Sequence, residues 1–483
     1  MPLLATVAGI RGVFGDGLDP AVLVRYASAF GAWLSRQTEA RPRVVVGRDG
    51  RVTGDVCARI VTATLQAAGC DVVDGGLATT PTVAMGVLKH RADGAVILSA
   101  SHNPAQWNAL KLLDRRGEFL GPDEGAEVLA LADGTGPGAG VAAQTVGYEA
   151  LGSYQTDDLL PYHIEQILAL PFVDTAAIAA RGFSVVVDAV NSVGAFAVPE
   201  MLRALGVTRV EVLNADVTGR FAHDPEPLPA HIGQILARVA ESGADLGIVV
   251  DPDVDRLAFV EDGGRFLGEE LTQVVAADFV LGKTPGPVAT NLSSSRLIED
   301  VAARHGQTVE RSAVGEIHVV RAMQRVGAVI GGEGNGGVIV PGLHYGRDAL
   351  VGVAVVLQHL AETGQRLSEV RQGLPVYAIA KHKVQLTPEM DARALLDAYA
   401  AKAQQTPGAR VSTVDGVKVD TDAGWAHVRA SNTEPILRIY AEAATPEAAD
   451  ALARQAAADL LGPDSAGPGV PGAGVPGAER PRA

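Results

Sequence analysis

Three stretches of the chain repeat one pattern: an apolar strand, a polar or glycine-containing turn, and a helix with apolar residues at three- and four-residue spacing. They begin near residues 41, 181 and 286 and read RPRVVVGRDGRVTGDVCARIVTATLQAAG, RGFSVVVDAVNSVGAFAVPEMLRALG and PGPVATNLSSSRLIEDVAARHG. Each helical part ends in glycine, which is a common C-terminal cap. Alternating strands and helices favour layered α/β architecture. The repeat therefore predicts three similar α/β units.

Changes in composition divide the chain further. A glycine- and proline-rich linker, DGTGPGAG, follows the first unit, a strand–turn–strand pattern begins at DPDVDRLAFVEDGGRF, and a third break lies near RQGLPVYAI. We expect domains at residues 1–145, 146–250, 251–372 and 373–461. Residues 462–483 are rich in glycine, proline and alanine and have no apolar periodicity, so we predict that they are disordered.

Net charge and cysteine content narrow the possible functions. The 483 residues carry a net charge of −16, which argues against nucleic acid and anionic membranes as partners. An anionic small substrate would therefore need a local cluster of arginine and lysine. The two cysteines, Cys57 and Cys70, lack metal-ligand spacing and fit a reducing cytosol. We find no secretory signal pattern and no apolar run of about 18 residues in the sequence. We therefore expect a cytoplasmic protein.

Two loops that follow apolar strands carry groups suited to chemistry. SASHNP comes directly after DGAVIL, and loops at the carboxyl ends of strands are where α/β folds bind ligands. Taken alone, these six residues are better explained by a polar turn without a function. In IVVDPDVDRLAFV, the carboxylates of Asp251, Asp253 and Asp255 would repel one another unless a cation lay among them, and Mg²⁺ takes carboxylate and phosphate oxygens. The alternative is a solvated acidic loop, which the apolar flanks disfavour.

A third loop, in VRASNTEPILRIYAEA, concentrates hydrogen-bond donors between two predicted strands. Its side chains offer hydroxyl, amide and guanidinium groups, which suit phosphate recognition. The residues concerned are Arg429, Ser431, Asn432 and Thr433, with Arg438 following. A hairpin turn with a chance arginine is the alternative.

A fourth loop, GGEGNGGVI, is rich in glycine, which lets the backbone approach a ligand closely. Within it, Glu333 and Asn335 offer an acceptor and an amide suited to sugar hydroxyls, although a tight turn explains the glycines equally well. Scattered positive charge comes from Arg11, Arg48 and Lys111.

Together these four loops resemble those of the α-D-phosphohexomutases, the family of phosphoglucomutase, phosphomannomutase and phosphoglucosamine mutase. SASHNP is similar to the phosphoserine loop, DPDVDR to the metal loop, GEGNGG to the sugar loop and RASNTEP to the phosphate-binding loop, in family order across residues 5–461. The resemblance implies an α/β protein of four domains around a central cleft. Three similar α/β domains and a smaller α+β C-terminal domain would each contribute one loop.

The resemblance also implies roles for individual residues. Ser101 would carry the transferable phosphoryl group. One Mg²⁺ ion would be held by an oxygen of phosphorylated Ser101 and by Asp251, Asp253 and Asp255, with Arg256 shaping the metal loop. The expected catalytic partners of Ser101 are His102, Lys111 and Arg11. The expected substrate ligands are Glu333, Asn335, Arg429, Ser431, Asn432, Thr433 and Arg438.

Three positions depart from the family pattern. Pro252 stands where many members have glycine, which stiffens the metal loop without removing a ligand. Asn335 stands where many bacterial members have serine, and Gly337 where many have histidine. Glu316 and His318, in VGEIHV, are candidates to supply the group that is missing at position 337.

The implied activity is interconversion of a hexose 6-phosphate and a hexose 1-phosphate through a phosphoserine enzyme and a 1,6-bisphosphate intermediate. Hexose 1,6-bisphosphate would act as activator. GGEGNGGVI and HYGRDALVGVAVVLQHLAE look most like archaeal-type phosphoglucosamine mutases, so glucosamine 6-phosphate is the expected substrate. A bifunctional phosphomannomutase/phosphoglucomutase is the alternative. A sugar-phosphate phosphatase or a noncatalytic sensor is more remote, because a sensor would not need Ser101 together with three aspartates.

Overall fold

The computed structural model describes residues 3–6, 9–135, 145–431 and 435–461, and the tail predicted to be disordered lies outside these ranges. Within them the strands form four sheets, of eight, four, four and five strands. No helix in the described ranges combines the length and the apolar character needed to span a bilayer.

The first sheet belongs to the amino-terminal unit. Its strands are β1 (Leu4–Thr6), β2 (Gly9–Phe14), β3 (Gly17–Leu18), β4 (Arg43–Arg48), β5 (Asp71–Leu77), β6 (Gly94–Leu98), β7 (Trp107–Leu113) and β8 (Tyr154–Thr156). The strand order is β1-β2-β7-β6-β4-β5-β8, with β3 paired to β2. Its helices are α1 (Pro20–Leu34), α2 (Gly54–Ala67), α3 (Thr80–His90) and α4 (Pro122–Ala132).

Two four-stranded sheets follow. The second unit contains α5 (Leu160–Leu168), α6 (Thr175–Arg181), β9 (Ser184–Asp188), α7 (Gly194–Ala204), β10 (Arg209–Leu213), α8 (Gly233–Ser242), β11 (Leu246–Val250) and β12 (Leu257–Glu261). The third contains α9 (Glu269–Lys283), β13 (Val288–Asn291), α10 (Leu297–Arg304), β14 (Val309–Ser312), α11 (Glu316–Val326), β15 (Ile330–Glu333), β16 (Gly337–Ile339), α12 (Ala349–Thr363) and α13 (Leu367–Gln372).

The three units share one strand arrangement. The orders β5-β4-β6-β7, β10-β9-β11-β12 and β14-β13-β15-β16 are equivalent, with three parallel strands and a final antiparallel one. Because β4, β9 and β13 are the strands on which the sequence repeat begins, the prediction of three similar α/β units is confirmed. In each unit a hairpin loop joins the third strand to the antiparallel one. These equivalent loops carry SASHNP, DPDVDR and the turn of GEGNGG.

The C-terminal domain has a different architecture. Its strands β17 (Ala378–Gln385), β18 (Arg410–Ser412), β19 (Val417–Thr421), β20 (Gly424–Ala430) and β21 (Ile436–Ala443) form an antiparallel sheet in the order β17-β21-β20-β19-β18. Helices α14 (Ala392–Ala403) and α15 (Pro446–Leu461) supply apolar side chains to the same core as β20 and β21. This is the smaller α+β C-terminal domain that the family resemblance implies.

Apolar packing determines how the loops are held. Strands β6 (GAVIL) and β11 (LGIVV) are buried at every position, as expected for strands covered by helices on both faces. The second and third units share one apolar core, to which Ile248 of β11 and Ile330 of β15 both belong. The loops that follow these two strands are therefore fixed relative to one another.

A buried polar cluster fixes the start of α12. One carboxylate oxygen of Asp348 accepts hydrogen bonds from two backbone N–H groups of the first turn of α12. Its other oxygen lies 2.8 Å from Nε2 of His163 and 3.3 Å from Nε2 of His344. Burial acts to raise the pKa of Asp348, but the two histidines bring it well below its usual value. These hydrogen bonds hold the backbone beside Arg347 in place.

Candidate active site

Ser101 lies in the hairpin loop after β6, and its side chain points at the metal loop. The residue is buried and has φ = 49°, in the left-handed region that serine rarely adopts. Its N–H donates to Ser99 Oγ at 2.9 Å, and its Oγ donates to Asp251 Oδ2 at 2.5 Å. The strained backbone therefore directs the hydroxyl onto a carboxylate of a different unit.

The guanidinium of Arg51, which is fully buried, holds this loop in shape. It pairs with Asp49, whose Oδ2 lies 3.0 Å from Arg51 Nε. It donates hydrogen bonds to four backbone carbonyl oxygens of the loop, those of Ser101, Asn103, Pro104 and Trp107. One arginine thus fixes the backbone on both sides of the serine.

The three aspartates of the metal loop are fully buried, and their oxygens lie within 4.8 Å of one another. Asp253 Oδ2 accepts hydrogen bonds from Thr80 Oγ1 at 2.5 Å and Lys111 Nζ at 2.6 Å. The Oδ1 atoms of Asp253 and Asp255 are buried and have no hydrogen-bond partner among the described residues. Two unpaired carboxylate oxygens beside Asp251 make a donor set of hard oxygens, which fits a divalent cation such as Mg²⁺.

The electrostatics of the loop show how strongly its charges interact. Burial raises the pKa of Asp251 well above its usual value, and the charges of Asp255 and Asp253 raise it further. Burial also acts to raise the pKa of Asp253, but the charge and hydrogen bond of Lys111 hold it well below its usual value. Burial acts to lower the pKa of Lys111, and the two aspartates reverse this and raise it. One lysine therefore offsets only part of the buried negative charge.

His102 lies beside the serine hydroxyl, and two arginines contact His102 and Asn103 of the same loop. His102 Nδ1 lies 3.4 Å from Ser101 Oγ, and its Nε2 lies 3.5 Å from Arg256 Nη2. Burial lowers the pKa of His102 well below its usual value, and the charges of Arg256 and Arg11 lower it further, so the imidazole is neutral at pH 7. Arg11 donates from Nη1 to Asn103 Oδ1 at 2.9 Å. Of the predicted catalytic partners, His102 thus lies beside Ser101 Oγ and Arg11 contacts the same loop, whereas Lys111 contacts Asp253 of the metal loop.

Glu333, at the end of β15, is buried and has several hydrogen-bond donors around it. Its Oε1 accepts from Asn291 Nδ2 at 2.9 Å and from the Gly315 N–H at 3.1 Å. Its Oε2 accepts from Arg347 Nη1 at 2.9 Å. Asn335 Oδ1 accepts from a backbone N–H of its own turn at 3.3 Å. Glu333 is therefore held rigidly, with most of its acceptor capacity used within the protein.

The phosphate-binding loop lies between β20 and β21 of the C-terminal domain. Arg429 of β20 stands directly opposite Arg438 of β21, and Lys383 of β17 stands opposite Arg438 on its other side. Like charges in directly opposed positions of a sheet repel, so this row of cations favours a bound anion. Arg429 Nε lies 3.3 Å from Asp415 Oδ2, and that oxygen also accepts from the Val314 N–H of the third unit.

Two of the predicted phosphate ligands, Asn432 and Thr433, lie outside the described residues. Ser431 lies at the edge of the described loop, where its N–H donates to the Ile436 carbonyl at 3.0 Å.

The chain is similar to known proteins over most of its length. The chain matches the phosphoglucomutase/phosphomannomutase alpha/beta/alpha domains I, II and III over residues 3–136, 161–264 and 268–377, and the C-terminal domain over 383–459. A phosphoglucomutase/phosphomannomutase of Thermococcus kodakarensis is 36% identical over 443 residues, which are 91% of this chain and 94% of that protein. The chain belongs to the phosphoglucomutase/phosphomannomutase family. The predicted family and enzyme class, a phosphohexomutase, are confirmed.

Other family members are similarly close. A probable phosphoglucosamine mutase of Methanopyrus kandleri is 35% identical over 92% of this chain and 95% of its own length. The crystal structure of a phosphoglucomutase/phosphomannomutase family protein from Burkholderia thailandensis covers 95% of this chain and 98% of its own, with a TM-score of 0.82 and 27% identity. Two relatives of nearly equal identity thus carry names that refer to different sugars.

The structure also identifies residues of the site that were not predicted from the sequence. Arg51 holds the serine loop, Arg347 contacts both the metal loop and Glu333, and Lys383 extends the row of cations. Of the two candidates to replace the histidine missing at Gly337, Glu316 contacts Arg347, whereas His318 is exposed on α11.

Proposed function

We propose that this phosphohexomutase works through a phosphoserine at Ser101 and a hexose 1,6-bisphosphate intermediate, with Mg²⁺ bound by the metal loop. The observation that carries the proposal is the contact of 2.5 Å between Ser101 Oγ and Asp251 Oδ2, beside the unpaired Oδ1 atoms of Asp253 and Asp255. A phosphorylated serine here would add oxygens next to carboxylates, which is stable only with a cation between them. The cytoplasm is the compartment we assign to this metabolic role.

In the first half-reaction, phosphorylated Ser101 transfers its group to the free hydroxyl of the bound hexose monophosphate. The bond from phosphorus to Ser101 Oγ breaks, a bond from phosphorus to the sugar oxygen forms, and the hydroxyl proton ends on Ser101 Oγ. The second half-reaction is the reverse with the other phosphate of the bisphosphate. Added hexose 1,6-bisphosphate activates the enzyme by phosphorylating any free Ser101.

The residues around Ser101 supply the positions and charges that phosphoryl transfer needs. Lys111, fully charged because its pKa is raised, would lie beside the reacting hydroxyl. The neutral imidazole of His102, 3.4 Å from Ser101 Oγ, can move a proton at that oxygen. Bound Mg²⁺, held by the three aspartates and a phosphoserine oxygen, would supply Lewis-acid stabilisation of the transferred group.

The phosphate that does not react would bind the cations of the C-terminal domain. Arg429 and Arg438 stand side by side, which suits two or more charge-assisted hydrogen bonds to one phosphate. Ser431, Asn432 and Thr433 are assigned to the same phosphate. Because this site lies on a separate domain, it can hold either end of the sugar while the other end faces Ser101.

Glucosamine 6-phosphate is the substrate we assign, with mannose and glucose phosphates as weaker ones. Glu333 already accepts four hydrogen bonds from the protein, and the longest of them, from Asn335 Nδ2 at 3.5 Å, is the one that a sugar hydroxyl could replace. Asn335 both donates and accepts and does not select an amine. One hydrogen bond contributes about 0.5–1.5 kcal/mol, or roughly tenfold in preference, so we expect overlapping activities.

Intact-mass measurement and product analysis test this proposal. The wild-type protein, treated with glucose 1,6-bisphosphate, should gain one phosphate, and Ser101→Ala should gain none. The alanine variant should fold normally and lose isomerisation, because a loop hydroxyl contributes little to the core. Wild-type turnover in Ser101→Ala contradicts the mechanism, and release of inorganic phosphate as the main product would indicate a phosphatase.

The sugar assignment needs a separate comparison. We would measure kcat/KM for glucosamine, glucose and mannose phosphates at one Mg²⁺ and one bisphosphate concentration. A preference for glucose or mannose phosphate of about a hundredfold, well beyond one hydrogen bond, would contradict the amino-sugar assignment and leave the mutase assignment intact.

A further inference from the structure

Gly337 and Arg347 occupy the same small space beside Glu333. Gly337 is buried at the start of β16, directly opposite Glu333 in the strand pairing. A Cβ atom at position 337 would lie 2.2 Å from Arg347 Cδ and 2.8 Å from Arg347 Cγ. These are atoms in the middle of the side chain, so any residue larger than glycine at 337 must displace Arg347.

Arg347 uses each of its guanidinium nitrogens for a different carboxylate. Its Nη2 donates to Asp255 Oδ2 at 2.8 Å, its Nη1 to Glu333 Oε2 at 2.9 Å and its Nε to Glu316 Oε2 at 3.0 Å. Glu316 Oε1 also accepts from the Arg347 backbone N–H at 2.9 Å. The planar guanidinium therefore sets the relative orientation of the metal loop and the sugar loop.

The contact with Asp255 bears directly on metal binding. Because Arg347 occupies Oδ2 of Asp255, the carboxylate presents its other oxygen, Oδ1, which has no partner among the described residues. The contact with Glu333 likewise determines which lone pairs of that carboxylate a sugar hydroxyl can reach. A lysine has one charged nitrogen on a flexible chain and cannot hold three carboxylates in a plane.

We propose that Arg347 is a positioning residue that couples the metal site to the sugar site, and that Gly337 is required because it leaves room for the Arg347 side chain. The inference rests on the proposed function, since it concerns how Mg²⁺ and the sugar phosphate bind. Arg347 acts through Asp255 and Glu333, so changes that move its guanidinium should alter both binding events together. The side chain that fills the space beside Gly337 is then that of Arg347, which comes from another part of the third unit.

Three variants test the coupling: Arg347→Lys, Gly337→Ala and Glu316→Gln. We would measure the Mg²⁺ Kd of metal-free protein by calorimetry, and KM and kcat with glucosamine 6-phosphate. Arg347→Lys and Gly337→Ala should each raise both the Mg²⁺ Kd and the sugar-phosphate KM by about tenfold, as expected when a charge-assisted hydrogen bond is lost. Glu316→Gln should change both constants in the same direction by less, although Glu316 has no hydrogen bond to Asp255 or Glu333.

The double variant Arg347→Lys/Gly337→Ala should be no worse than the more affected single variant, because both changes disturb one arrangement. Gly282→Ala, whose Cβ would meet only a 3.7 Å contact, and Arg325→Ala, which removes an exposed arginine, are the matched controls and should leave both constants unchanged. Thermal unfolding of each variant checks that it is folded. If Gly337→Ala does not fold, the Mg²⁺ Kd and the KM of Arg347→Lys and Glu316→Gln still test whether the two sites are coupled.

Three results would overturn the inference, and the third is distinguishable from the first two. If the wild type binds Mg²⁺ and converts the sugar phosphate while folded Arg347→Lys keeps both constants, Arg347 is not a positioning residue. The same holds if only one of the two constants changes, because the sites are then uncoupled. If the wild type itself neither binds Mg²⁺ nor isomerises any hexose phosphate, the proposed function fails and the inference fails with it.

Discussion

Replacing Arg51 with lysine should disable the enzyme, although the only predicted site residue with which Arg51 makes a hydrogen bond, among those the structure describes, is Ser101, through its backbone carbonyl. Its Nη2 serves the carbonyls of Ser101 and Asn103, and its Nη1 those of Pro104 and Trp107. A single ammonium nitrogen cannot reach both pairs, and because the Pro104 carbonyl also accepts from the Trp107 N–H, one or two carbonyls should be left without a donor. A buried acceptor left unpaired costs about 1–3 kcal/mol, so unfolding should become easier by about 1–6 kcal/mol.

The loss of activity follows from the backbone of Ser101. Its left-handed conformation is unfavourable by about 1–2 kcal/mol, and the hydrogen bond from Arg51 to its carbonyl offsets that strain. Once released, the loop should relax and move Ser101 Oγ away from Asp251. A displacement of about 1 Å at a reacting group can reduce the rate by about a hundredfold.

We would measure kcat with glucosamine 6-phosphate, the phosphoserine content by intact mass, and the free energy of unfolding in urea. The control is Arg48→Lys in the same GRDGR segment, where Arg48 lies 3.8 Å from the exposed Asp55 and a surface pair contributes less than about 1 kcal/mol. Arg48→Lys should keep wild-type kcat. If Arg51→Lys also keeps wild-type kcat and phosphoserine content, the loop does not depend on Arg51 and the reasoning is refuted.

Three further changes test other parts of the structure. Asp253→Asn removes a proposed metal ligand and the partner of Lys111. Loss of a group that only supports a metal ligand typically weakens metal binding by roughly 10- to 100-fold, so calorimetry should show a larger rise than this in the Mg²⁺ Kd, with a parallel fall in kcat. An unchanged Kd contradicts the site. Arg429→Gln should raise KM for the sugar phosphate by about 10- to 150-fold with little effect on kcat; an unchanged KM moves the phosphate elsewhere. Burial, with help from Arg311, lowers the pKa of Lys418 to about 7. Above pH 7 the folded lysine loses a proton that the unfolded one keeps until about pH 10, so wild-type stability should rise with pH relative to Lys418→Met, by up to about 1.4 kcal/mol per pH unit. Urea unfolding at pH 6.5 to 9 measures this, and a constant difference contradicts it.

The three α/β units and their loops could be predicted because the information is local. A short run of apolar residues is typical of a strand that helices cover on both faces. A helix that follows such a strand and ends at a glycine cap is expected to lead the chain back to the next parallel strand. SASHNP and DPDVDR each sit immediately after such a run, at β6 and β11, so their position at the carboxyl end of a strand followed directly. GEGNGG begins within the next equivalent strand, β15.

The arginines that organise the loops could not be predicted in the same way. Arg347 lies 92 residues from Asp255 in the chain, and Arg51 lies 50 residues from Ser101. In a single sequence, a buried arginine that organises a loop cannot be distinguished from an exposed one. One signal was available for Arg51. It lies in the DGR turn after β4, and this turn, like the other loops of the site, follows the carboxyl end of a parallel strand.

Charges from different units pair across the site, and this explains why the site and the fold depend on each other. Ser101 and Lys111 of the first unit contact Asp251 and Asp253 of the second, and Arg347 of the third contacts Asp255 of the second. Removing one partner from a buried pair leaves a charge without compensation, which costs about 3–5 kcal/mol. In the assembled chain, the buried aspartates of DPDVDR would therefore be strongly destabilising without these partners. Docking of the first and third units supplies the compensating cations, and it assembles the metal site by the same contacts.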